Sequence, residues 1–321
     1  MLTIFKLTEI ISINLVNKRS PNMAKNPLAV LKSDFQKDGK FVEIHRLYRF
    51  WFEFLTLSPS YELARRHRAT RGKLSQSDQD RLPADFEKVL EIYDAFGDVQ
   101  KYLFKTWWVE RGVDLFGIQG APSKTVPIYK LARGSDPDKA RVYAAVTKFL
   151  DSTRSKQNKP PSILLTIPLD STRQKVLKEI KTLLDEHIQE PPEPATPKYS
   201  LAAKDMHVQN VIDAMSVLYI RSARPDWKLW QIGEECKIKK GRKGRSPDPD
   251  AFDSLRTLEQ MTSRKLKTGA YIAENAARGI FPSQSKPKYF VKFDPVEFSQ
   301  IISEKNAWAK KEKVRILAIS K

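Results

Sequence analysis

Six of the nine residues in the run 237–245, KIKKGRKGR, are basic: Lys237, Lys239, Lys240, Arg242, Lys243 and Arg245. Side chains of this kind bind anionic oxygen, Lys as a point charge and Arg as a planar fork that matches phosphate. Gly241 and Gly244 add backbone freedom for close approach to a groove. No acid interrupts the run, although a nuclear-localisation or heparin-binding patch has the same composition. The flanking segments extend the pattern. Lys228 and Gln231 lie on the polar side of the segment before it, and Arg256, Arg264, Lys265 and Lys267 lie on the outward side of the segment after it. Together these residues are the candidate nucleic-acid surface.

Other chemistry is poorly supported. Pro225-Asp226 followed by Glu235-Cys236-Lys237 resembles the PD-(D/E)xK pattern of a large nuclease superfamily. Such enzymes hold a divalent metal with carboxylates that converge from adjacent strands. Residues 227–236 read as a helix, so the chain is expected to be non-catalytic, with a nuclease as the third reading. Cys236 is the lone cysteine, which excludes an intrachain disulfide and a cysteine-rich zinc site. The four histidines, His45, His67, His187 and His207, are scattered without ligand spacing, and no cofactor or metal is expected. The repeated Asp-Pro-Asp at 136–138 and 248–250 reads as capping and turn chemistry.

The basic residues need elements to position them. Val208 to Ile220 is apolar at helical spacing, with Val211, Ile212, Met215 and Leu218 on one side. Ala223 to Asp226 reads as a turn, with Asp226 capping a second helix from Trp227 to Ile238. A third helix, Phe252 to Arg278, turns Leu255, Leu258, Met261 and Ile272 inward; Gly279 then ends it and Pro282 prevents its restart. Tyr289 to Phe293 alternates like a strand, as the wing of a winged helix would. This order predicts a helix-turn-helix or winged-helix-like domain. The 13 residues 239–251 exceed the short turn of the standard motif.

Upstream, Phe41, Ile44, Tyr48, Trp51, Phe52 and Leu55 share one helical face. Ser58-Pro59 reads as a cap and first position of the next helix. Phe86 to Phe96 and Val99 to Arg111 continue an aromatic helical core. The runs 126–131 and 162–169 are candidate strands. Between them Asp136-Pro137 caps a helix, and after them Asp170 or Ser171 caps another. QEPPEPATPK, 189–198, is a proline-rich linker.

The expected fold class is therefore mainly α (α+β). Residues 1–34 read as a flexible tail, 35–188 as a mainly helical domain with a strand–helix–strand–helix element, and 199–321 as the basic domain. Met23 is an alternative translation start.

The chain holds 57 Lys or Arg against 38 Asp or Glu, a net +19, with a pI near 9.8. Residues 198–321 alone hold 25 against 14. A polyanionic partner offsets the self-repulsion of such a charge. The resulting expectation is a non-catalytic protein that binds DNA (or RNA) and regulates transcription, replication or a mobile element. The alternative is an adaptor subunit of a nucleoprotein complex, contacting protein through its aromatic-rich N-terminal domain. No segment is apolar enough to span a membrane, so an intracellular, cytoplasmic location is expected.

Overall fold

The computed structural model describes residues 27–319 except 122, 135, 158, 188–194, 204–205 and 239–250, together with the backbone but not the side chains of 251–254. Its principal helices are α1 (Leu47–Thr56), α2 (Pro59–Ala69), α3 (Phe86–Phe96), α4 (Lys139–Lys148), α5 (Arg173–His187), α6 (Val208–Ala223), α7 (Leu229–Glu235), α8 (Ala251–Ala276) and α9 (Pro295–Ile319). Three two-residue strands, β1 (Gln36–Lys37), β2 (Lys40–Phe41) and β3 (Ile118–Gln119), form an antiparallel sheet in that order. The fold is mainly helical with a small sheet.

The sheet lies outside the expected strands. Asp38 and Gly39 both have positive φ, 51° and 78°, and close a two-residue turn that pairs Lys37 with Lys40. Asp-Gly suits this turn because its twist matches that of the flanking strands. The apolar runs 126–131 and 162–169 are irregular. Apolar β-branched composition yields a strand only where a second edge takes up its backbone N–H and C=O groups, and no described strand pairs with these runs.

Two compact units divide the chain. One combines the described residues through Phe35 with 43–116 and 198–321; the other combines 36–42 with 117–197. The second unit ends at Pro197, within the expected linker 189–198, but residues 43–116 join 198–321 instead of sharing a unit with 117–188. Helix α1, LYRFWFEFLT, is apolar nearly all round, so a single covering face cannot bury it. Residues from both sides of the linker cover it: the Trp51 indole N–H donates to Ala276 O at 3.2 Å, and the Trp51 ring stacks on Phe281 with centroids 5.3 Å apart. The Tyr219 hydroxyl donates to Glu53 at 2.9 Å. The helix begins at Leu47; Phe41 belongs to β2 and Ile44 is exposed.

Ser58 caps α2 as expected, its Oγ accepting the Tyr61 N–H at 3.3 Å with Pro59 at the first position. The end of the expected tail is docked: the Trp108 indole N–H donates to Asp34 O at 2.8 Å, Lys105 pairs with Asp34, and Phe35 lies 4.8 Å from the Trp108 ring. In the second unit, Asp138 caps α4 by accepting the Arg141 N–H at 3.2 Å, and the Thr172 hydroxyl accepts the Lys175 N–H at 3.4 Å before α5. Both caps lie one or two residues beyond the expected ones. Neither α4 nor α5 has a buried side chain.

Candidate nucleic-acid interface

Helices α6, α7 and α8 pack around Val217, Ile220, Ile232, Ile238 and Leu258, with Trp227, Leu229, Cys236, Met261 and Leu266 at the rim. The expected tri-helical arrangement is present. Gly233 permits its tightest approach, because a Cβ there would lie 2.3 Å from Thr262 Oγ1 and 2.9 Å from Leu258 side-chain atoms. Any side chain at 233 would push α7 away from α8.

Helix α7 is shorter than expected and starts later. Its first turn is closed by Gln231, whose Oε1 accepts the Lys228 N–H at 2.9 Å, and Asp226 does not serve as the cap. In the preceding turn, Arg221 donates to Trp227 O at 2.6 Å and the Arg224 guanidinium sits 5.5 Å above the Trp227 ring. At the far end, Ile238 N–H donates to Gly233 O at 3.0 Å and Lys237 N–H to Glu234 O at 2.9 Å. Lys237 adopts φ 51°, so it ends α7 in left-handed backbone, and its side chain is exposed where the basic run begins. Lys239, Lys240, Arg242, Lys243 and Arg245 lie outside the described residues.

The exposed side chains of α7 include Glu234 and Glu235, a poor complement to phosphate. Helix α8 presents mostly basic groups on its exposed side, with Glu259 among them. Arg256, Glu259, Gln260, Ser263 and Arg264 line an open groove of about 470 Å³ with Leu229 of α7. Arg256, Arg264 and Lys267 are exposed and recur at i, i+8 and i+11, on one helical face. Neither Arg256 nor Arg264 is ion-paired among the described residues. Lys267 is 5.9 Å above the Tyr271 ring.

Lys265 departs from the expectation. It turns toward α6, with Nζ 3.3 Å from Asp213 Oδ2 and 3.1 Å from Asn210 Oδ1, so its charge is already matched. Sequence reasoning alone missed Gln260 and Ser263, polar groups that occupy the strip between the two arginines. Their signal is the same i, i+3, i+4 spacing that places Arg256 and Arg264 outward.

The second half of α8 is core. Glu274 is fully buried; its carboxylate accepts from Ser58 Oγ (2.8 Å), Ser60 N (3.0 Å), Ser60 Oγ (2.6 Å), Arg278 (3.0 Å) and Val291 N (3.3 Å). Arg278 also forks onto Asp85 at 2.8 and 3.0 Å. Gly279 follows with φ 77°, ending the helix as expected. Residues 289–293 bury Val291 and Phe293 alternately but form no strand, so the expected wing is absent; the Val291 N–H is taken by Glu274 instead.

Asp226 precedes α7 and Glu235 ends it, and no group of three His, Cys, Asp or Glu able to hold a metal occurs among the described residues. Burial, aided by Glu235 and Asp213, pushes the Cys236 thiol up to about 12, far from a reactive thiolate at neutral pH. Among the described residues no helix is long and apolar enough to cross a membrane.

Comparison with known protein families, with characterised proteins and with solved structures finds no match to this chain.

Proposed function

We propose that this chain is a non-catalytic nucleic-acid-binding protein that acts on DNA, and that the outward face of the first half of α8 is its contact surface. The observation that carries the reading is the exposed strip Arg256–Arg264–Lys267 beside an open groove, in a chain of net +19. Arg256 and Arg264 are separated by about 12 Å along the helix axis. Two exposed guanidinium groups at that spacing on one face can reach separate backbone phosphates. Gln260 and Ser263 would then face base edges.

Lys237 and the basic residues that follow it in the sequence would add phosphate contacts. Helix α7 becomes the support that fixes α8, because Gln231 Oε1 is engaged with backbone and the exposed acids face solvent. Regulation of transcription, replication or a mobile element fits a binder of this kind. A protein-contacting role for the N-terminal aromatics is disfavoured, since Trp51, Trp107 and Trp108 are all buried at 0 % exposure.

The test is retardation of a random duplex by the purified full chain at several salt concentrations. A log–log plot of affinity against salt with a slope of about −0.9 per phosphate neutralised supports the reading. Absence of binding at low salt overturns it.

A further inference from the structure

Gln260 sits at the centre of the basic strip on α8. Arg256, Arg264 and Lys267 all lie within about 40° of it around the helix, with the two arginines about 6 Å to either side along the axis. The Gln260 side chain is exposed and makes no hydrogen bond to any described residue. Leu229 of α7 lines the same open groove. It is half-buried, anchored against the core that holds Ile232 and Leu258. Glu259, the acid of the groove, stands about 100° round the helix from Gln260, off the centre of the strip.

The three cations attract phosphate whatever the sequence. A carboxamide at their centre adds no charge; what it offers is a donor beside an acceptor. Adenine presents the matching pair, acceptor N7 beside donor N6. Guanine presents two acceptors, N7 and O6, and leaves the carboxamide oxygen without a donor. The thymine paired with adenine carries its C5 methyl on the same edge of the base pair, an apolar group that suits Leu229. Ser263 bonds to any base and adds no preference of its own. On the reading that α8 is the DNA-contacting face, we propose that it prefers A·T base pairs, with Gln260 pairing to the N6–N7 edge of adenine and Leu229 covering the thymine methyl. The arginines and Lys267 then hold the backbone, while Gln260 and Leu229 choose the base pair.

The test measures binding of the purified full chain, at one salt concentration, to duplexes of equal length: A·T only, G·C only, A·T with 7-deazaadenine for adenine, and A·T with uracil for thymine. Wild type should bind the A·T duplex about tenfold more tightly than the G·C duplex. 7-Deazaadenine replaces N7 with a C–H and should weaken wild type about fivefold, with no effect on Gln260→Ala. Uracil lacks the methyl and should weaken wild type about threefold, with no effect on Leu229→Ala. Both replacements alter the base edge itself, which separates this contact from a preference that arises through DNA shape. Gln260 is exposed, so Gln260→Ala should melt like wild type. If Leu229→Ala melts early, the uracil comparison on wild type still decides. Equal affinity for the A·T and G·C duplexes overturns the proposal while leaving α8 as a phosphate-binding face. No binding to any duplex overturns the DNA reading itself. An A·T preference that ignores 7-deazaadenine, or that Gln260→Ala retains in full, overturns the role of Gln260, and insensitivity to uracil overturns that of Leu229.

Discussion

Glu274 accepts five hydrogen bonds while fully buried, and its donors come from residues 58 to 291. A carboxylate in that setting is tolerable only because its oxygen lone pairs are matched and a guanidinium stands beside it. Replacing it with Gln keeps the shape, removes the charge opposite Arg278 and turns one acceptor into a donor facing other donors. Glu274→Gln is expected to destabilise the fold by about 3 kcal/mol, read as a lower urea midpoint with unchanged slope. An unchanged midpoint would show that the cluster contributes little. Nothing in the local sequence announces Glu274: the pattern places it at one turn of a long helix, and its partners lie as far as 216 positions away. By contrast, Ser58 and Gly279 are legible, because capping chemistry is local. Asp38-Gly39 carries an equally local hairpin signal, hidden beside the stronger helical pattern that follows it.

At the scale of elements, apolar periodicity locates α6, α8 and the aromatic helices, since 3.6-residue spacing is a property of one segment. It does not find the partners of those segments. Residues 126–131 and 162–169 have strand-like composition yet no described partner strand, and 289–293 has a strand-like burial pattern whose backbone pairs with a side chain. The candidate site shows the same division. Spacing places Arg256, Arg264 and Lys267 outward correctly, whereas it fails for Lys265 because the partners, Asp213 and Asn210, sit on another helix. Helix α7 looks like the reading element from its expected length, and its exposed Glu234 and Glu235 are the reason the proposal turns to α8.

For the whole molecule, the proline-rich segment suggests two domains because prolines report where a chain cannot continue a helix, not which surfaces pack afterwards. The larger unit is closed across that segment by several contacts. Lys305 donates to Thr56 at 2.6 Å, Arg66 pairs with Glu297 at 2.7 Å, and Arg81 pairs with Glu297 at 2.8 Å. With Trp51 seated on Ala276, these contacts place one core across both halves. A fragment beginning at Lys198 would strip Trp51 and Phe54 from Phe281, which is fully buried in the intact chain. It is expected to lack a cooperative thermal transition, measured by circular dichroism or calorimetry. A sharp transition in that fragment would show that residues 198–321 hold an independent core.

The central claim is that phosphate contact runs through the outward face of α8. The most direct measurement compares wild type with the full-chain variant Arg256→Ser, Arg264→Ser, Lys267→Ser, titrating a random duplex against salt. All three side chains are exposed, so the variant should keep the wild-type melting behaviour. Its binding should weaken about equally on different sequences, and the salt slope should flatten by roughly one unit for each phosphate that is no longer neutralised. A variant with wild-type affinity and an unchanged slope would contradict the assignment of α8.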